Sequence, residues 1–363
     1  MIVAEVLSVA LGVVVVFLVL SAAVRTVVVP RDEQVFLNRV VFRAVRVCFE
    51  MFAKESRPYE DRDRVMARYA PTSLMLLPFV WITGVVFGFS AIFWGLRARP
   101  YEHALVLAGS SATTLGFERA DGFVVHLLVI VEAMIGLGLV ALLISFLPTM
   151  YGHFSKREVL VTQIHNWAVD DGAASPATML IRAHRINGFD RLHDSWVNWE
   201  MWFVELEETH TSFPALAFFR SPTPDRSWVT MSGVVLDGAA LFLSCVNTQT
   251  DPQAAITIRA GYLSLRHIAK YFSIPHDPSP AADDPISVTK EEFLAVYELL
   301  ASEGVPVRSD RERAWQDFRG WRVNYDQTLT ALASLTTAPI QPWVSDRSST
   351  FRRAPVMRRK SNK

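Results

Sequence analysis

Apolar residues run almost unbroken through three stretches of the first 150 positions, after which the pattern changes. Ile2 to Val29 is interrupted only by Glu5 and Arg25, Thr72 to Leu96 carries no charge, and Gly122 to Met150 carries only His126 and Glu132. Each exceeds the about 20 residues that a helix needs to cross a ~30 Å hydrocarbon core, so three membrane spans are expected. The first could be a cleaved signal peptide. However, no basic segment precedes it and Arg25 follows it, which favours a retained span. Between the second and third spans, 97–121 is too polar and too short to cross. Within it, Tyr101 to Ala112 predicts a short helix opened by Pro100.

Elsewhere the periodicity is that of soluble helices. From Gln34 to Glu55, Asn38, Arg39, Arg43, Arg46, Glu50 and Lys54 recur every three or four positions among Val35, Phe36, Val40, Val41, Val45, Val47, Phe49 and Phe52. That is an amphipathic helix with a basic face, suited either to an anionic headgroup layer or to packing on the C-terminal half. Residues 153 to 336 read as helices and loops. Ser175-Pro176 opens one helix, Trp196, Trp199, Met201, Trp202 and Phe203 crowd another, and Trp228 to Val246 and Ala254 to Phe272 form an apolar central pair. Thr289 with Glu292 and Ser309 with Glu312 read as capping boxes. From Pro339 the chain is Pro/Ser-rich and basic and reads as a disordered tail. The expected organisation is a first span (1–30), an amphipathic linker (31–70), a membrane module (71–152), an all-helical C-terminal domain (153–338) and the tail (339–363).

Charge sets the expected topology. Over 363 residues the formal net charge is zero, so nothing points to nucleic acid. Locally, Arg31, Arg39, Arg43, Arg46, Lys54, Arg57, Arg62, Arg64 and Arg68 crowd the loop between spans one and two, and Lys156 and Arg157 follow span three. The positive-inside rule puts both in the cytoplasm. The expectation is a multi-pass plasma-membrane protein with its N-terminus outside, a cytoplasmic C-terminal half, and 97–121 dipping in from the outer face. Cys48 and Cys245 then lie on the cytoplasmic side, with no disulfide framework.

The dipping segment carries Ser110-Ser111-Ala112-Thr113-Thr114-Leu115-Gly116-Phe117. A Thr-Thr-Leu-Gly-Phe run between two spans resembles the selectivity filter of the potassium channel family. The resemblance covers about residues 72–152. It implies that Thr113, Thr114, Leu115, Gly116 and Phe117 turn backbone carbonyls towards a dehydrated cation, with the Thr114 hydroxyl at the inner end. One chain supplies one such loop, so it also implies a homotetramer conducting K+, and no cofactor. Gly138, 22 residues after Gly116, matches the family's inner-helix hinge, with Gly136 beside it. Close helix packing is the alternative role for both. Leu139, Leu142 and Phe146 share a helical face and are candidates to line the cavity, or else to face lipid. Glu132 is a carboxyl deep in a span, costly unless functional or neutral and hydrogen-bonded.

The sequence leaves the family pattern after Phe117, where Glu118 and Arg119 replace a second Gly and an Asp. Val106 and Leu107 stand where aromatic residues commonly brace the filter. The expectation is weaker discrimination of K+ from Na+, with Glu118 and Arg119 at the outer mouth. The rival is a non-conducting membrane receptor or scaffold with a degenerate pore fold. His210 to Pro214 and Gly320 to Asp326 also look like segments of bacterial two-pore-like potassium channels. No catalytic or metal-binding constellation is visible, so an enzyme is not expected.

Overall fold

The computed structural model describes residues 2–27, 35–53, 58–119, 121–170, 172–186, 188–249 and 251–347. The described residues are helical with no strand, apart from one isolated bridge between Val246 and Val307. They divide into two units: 1–54 with 65–152, and 55–64 with 153–363.

In the first unit, α1 (Ile2–Val27), α4 (Tyr69–Gly95) and the start of α6 (Phe123–Ala168) are apolar and long enough to cross a membrane. This is an all-α membrane protein. α1 and α4 meet along a seam of glycines. A Cβ on Gly12 would collide with the Gly88 carbonyl oxygen, one on Gly88 would lie 2.6 Å from Val16 Cγ2, and one on Gly84 2.7 Å from Val19 Cγ2. Gly95 would come within 2.6 Å of the Glu5 carbonyl. Bare backbone at these positions lets two helices approach closely where no hydrophobic effect drives them together. The carboxylate in α1 is accounted for by the same packing. Glu5 is buried and receives Arg99 at 2.9 Å and Arg97 at 3.7 Å.

The linker holds the expected amphipathic helix as α2 (Phe36–Phe52), in the first unit, and a second helix, α3 (Tyr59–Met66), whose residues through Arg64 belong to the second. α5 (Tyr101–Ala112) has the expected bounds. Its Tyr101 hydroxyl lies 3.0 Å from Ser90 of α4. α6 runs for 46 residues without a break, about 69 Å of helix and well beyond a bilayer core.

The second unit builds its core around α9 (Trp228–Cys245), which is apolar enough to span a membrane but buried almost throughout. Around it lie α7 (Pro176–Arg185), α8 (Leu192–Ser212), α10 (Pro252–Tyr271), α11 (Lys290–Ser302), α12 (Arg311–Arg322), α13 (Asp326–Thr336) and the end of α6. Trp196, Trp199, Trp202 and Phe203 are core, whereas Met201 of the same helix is exposed. Thr289 and Glu292 form the expected capping box. At α12 the cap is Asp310, whose carboxylate accepts from the Arg313 N–H at 2.9 Å, and not Ser309.

Two buried arginines tie this core together, and each explains a motif seen in the sequence. Arg322, fully buried, bonds Asp237 of α9, Asp326 at 2.8 Å and the Trp343 carbonyl, while Tyr325 donates to Asp237 at 2.8 Å. Gly320 to Asp326 is thus a core-locking segment. Arg157, also buried, donates to the carbonyls of Leu216 and Phe219, both at 2.8 Å, and faces His210 Nε2 at 3.2 Å. An arginine only donates, so Nε2 accepts and the imidazole is the neutral tautomer with its proton on Nδ1, 2.9 Å from the Leu206 carbonyl. Burial, and then the Arg157 charge, hold His210 well below the ordinary histidine value.

The expected tail begins too early. Gln341, Trp343 and Val344 are buried, Val344 packs on Gly233, and Arg347 pairs with Glu292 at 2.7 Å. Composition misled here, because a Pro/Ser-rich segment still packs when its few large residues find a groove. The basic cluster from Arg352 onward lies outside the described residues, as do Arg31, Lys54 and Arg57.

Candidate functional site

α5 ends against α6. A Cβ on Gly136 would collide with the Ala112 carbonyl oxygen, so glycine is required where the two helices touch. Gly136 lies 13 residues into α6, about 20 Å from its start, and α5 is about 18 Å long. The end of α5 therefore meets α6 about 20 Å along from its start, and the chain returns from there to Phe123.

The return begins with a tight reversal. Thr113 is right-handed helical, Thr114 is left-handed at φ +59°, and Gly116 is left-handed at φ +68°. This reversal folds five successive N–H groups back onto the end of α5. Thr114 donates to the Ser111 carbonyl at 2.9 Å, and Leu115 and Gly116 donate to the Ser110 carbonyl at 2.9 and 3.3 Å. Phe117 and Glu118 donate to the Ser110 hydroxyl at 3.0 and 3.4 Å. In a trans peptide the C=O points opposite to the N–H of the next residue. The carbonyls of Thr113, Thr114, Leu115, Gly116 and Phe117 are thereby directed away from the Ser110 end of α5. No hydrogen bond among the described residues is accepted by any of them. All five residues are exposed, Phe117 at 64 %.

Glu118 does not stand free. Its carboxylate reaches back along α5 to His103 Nδ1 at 3.3 Å, with both side chains about 30 % exposed. Arg119 is exposed. Glu132 is fully buried, and neither of its oxygens has a hydrogen-bond partner among the described residues. It shares a face of α6 with Gly136 and with Leu139, which is 2 % exposed. Leu139 is therefore packed inside the chain's own first unit rather than turned to a cavity or to lipid, on the face of α6 that Gly136 presents to Ala112. Leu142 and Phe146 are half-buried. At Gly138 nothing lies within 4 Å of where a Cβ would stand, and the helix passes straight through it. Close packing is thus the observed role of Gly136 alone.

Sequence reasoning missed Ser110 as the acceptor for four N–H groups, His103 as the partner of Glu118, and the glycine seam of α1 and α4. Gly84-x-x-x-Gly88 was the available signal for the seam. Among the described residues no group of three His, Cys, Asp or Glu side chains could hold a metal ion. Comparison with protein-family models, with curated proteins and with solved structures gave no match.

Proposed function

We propose that four copies of this chain form a monovalent cation channel, selective for K+ or weakly selective between K+ and Na+. One observation carries the reading: five consecutive carbonyls, Thr113 to Phe117, are turned away from their supporting helix while the N–H groups behind them are satisfied. A cation stripped of water needs such a ladder of oxygens. Backbone of this kind persists at membrane depth only where it is buried in protein or lines water, which a ring of four loops provides. The C-terminal dipole end of α5 adds a favourable potential for a cation. In this reading Gly116 supplies the second left-handed residue of the turn that Thr114 begins, Glu118 and Arg119 edge the mouth, and Leu142 and Phe146 approach the cavity. The basic loop and the C-terminal half are cytoplasmic by the positive-inside rule.

The rival is a non-conducting receptor or scaffold, favoured by the His103 contact, which draws Glu118 back along α5. Purified chain in liposomes with a K+ gradient separates the two. A channel gives K+ flux that Gly116→Ala strongly reduces, since alanine at φ +68° costs roughly 1–2 kcal/mol. Glu118→Gly raises K+ over Na+ selectivity in bi-ionic reversal potentials. A correctly assembled tetramer without flux supports the receptor instead.

A further inference from the structure

Around α2 the described residues fall on three arcs. Val41, Val45 and Phe49 face inward, with Asn38 donating to Thr26 in the last turn of α1 at 2.7 Å and Tyr69, the first residue of α4, reaching the Phe42 carbonyl at 3.3 Å. The Phe42 and Phe49 rings each lie 6.2 Å from the Tyr69 ring. Arg39, Arg43, Arg46 and Glu50 make a polar arc, within which Arg46 pairs with Glu50 at 2.9 Å. The third arc is Phe36, Val40, Val47, Cys48 and Met51, all exposed and none charged, and Phe52 in the last turn is exposed as well. Phe36 is 70 % and Phe52 64 % exposed, which a solvated helix would not sustain along its whole length.

The contacts to Thr26 and Tyr69 fix where this arc lies, at the level where α1 ends and α4 begins. At that same end the spans also expose apolar side chains, Val24, Met75, Leu76 and Phe79. We propose that α2 is a membrane-surface helix: its apolar arc is seated among the upper acyl chains of that leaflet, and Arg39 and Arg43 beside it meet anionic head groups. The position of α2 at the ends of two membrane-length apolar helices, level with their own exposed apolar residues, selects lipid as the occupant, and the adjoining basic arc supplies the charge complementarity. The proposal rests on the membrane reading of α1 and α4 and not on ion conduction.

The chain carries its own probe. Cys48 lies on the exposed arc, and Cys245 is buried in the second unit. Full-length protein labelled at Cys48 with an environment-sensitive thiol dye is reconstituted into phosphatidylcholine vesicles with and without phosphatidylglycerol. We expect nitroxide lipids carrying the spin label near the head group to quench the dye several-fold more strongly than aqueous iodide does. The double variant Val47→Glu, Met51→Glu should reverse that order. Quenching by iodide at the level of free dye, with none by the nitroxide lipid, overturns the proposal. So does protection from both quenchers with energy transfer between labelled chains, which would assign the arc to a second copy. Identical quenching with and without phosphatidylglycerol overturns the head-group part.

Discussion

Ser110 carries four of the five N–H groups beneath the turned-out carbonyls, two on its carbonyl and two on its hydroxyl. Ser110→Ala leaves the carbonyl and removes the hydroxyl, so Phe117 and Glu118 lose their acceptor. If the chain conducts as proposed, K+ flux in liposomes should fall on the order of tenfold at about 1 kcal/mol per bond, with selectivity falling alongside it. Wild-type flux and selectivity in that variant would mean the hydroxyl does not hold the segment. A second residue-scale effect concerns His210. Its folded-state value is depressed, so below the unfolded value near 6.5 the unfolded chain binds a proton that the folded chain refuses. Stability is full above that pH and drops on acidification, by up to about 1.4 kcal/mol per pH unit. Tryptophan-fluorescence melts of the full chain between neutral pH and pH 5.5 test this, because Trp228 lies 4.6 Å from the His210 ring. The drop should be smaller in His210→Asn. An equal drop in both proteins would place the acid sensitivity elsewhere.

At the scale of elements, the membrane helices were legible because their signal is local: unbroken apolar length defines α1, α4 and α6, and a polar interruption defines α5. What stayed hidden depends on pairs. The glycines of α1 and α4 acquire meaning only against each other. The inward face of α6 is marked only by the approach of Gly136 to Ala112, a pair contact, and so Leu139, 2 % exposed on that face, could not be told from a cavity- or lipid-facing residue. The same holds for the reversal after α5, where left-handed Thr114, not a glycine, begins the turn. The seam can be tested directly. Gly88→Leu must displace Val16 and the Gly12 backbone, so its melting temperature in mild detergent should fall by several degrees. Gly152→Ala, with nothing within 4 Å, should be neutral. Equal stability of the two would remove the seam as a source of rigidity.

For the whole molecule the decisive quantity is copy number. At 40.8 kDa per chain, a tetramer has a protein mass of about 163 kDa, which light scattering corrected for bound detergent can measure. A uniform monomer or dimer would end the channel proposal, while leaving the membrane-surface role of α2 in place. The Arg322 lock has a different kind of consequence, in the order of biosynthesis. Asp237 and Arg322 are synthesised before the Trp343 carbonyl that Arg322 needs, and the groove at Gly233 precedes Val344 by more than a hundred residues. A growing chain therefore lacks one acceptor for the Arg322 guanidinium, whose carboxylate partners Asp237 and Asp326 are already present, and keeps an open apolar groove at Gly233 until positions 341–347 arrive. A chain truncated before residue 341 would therefore keep that apolar groove exposed after release, and should be the aggregation-prone form of the C-terminal unit.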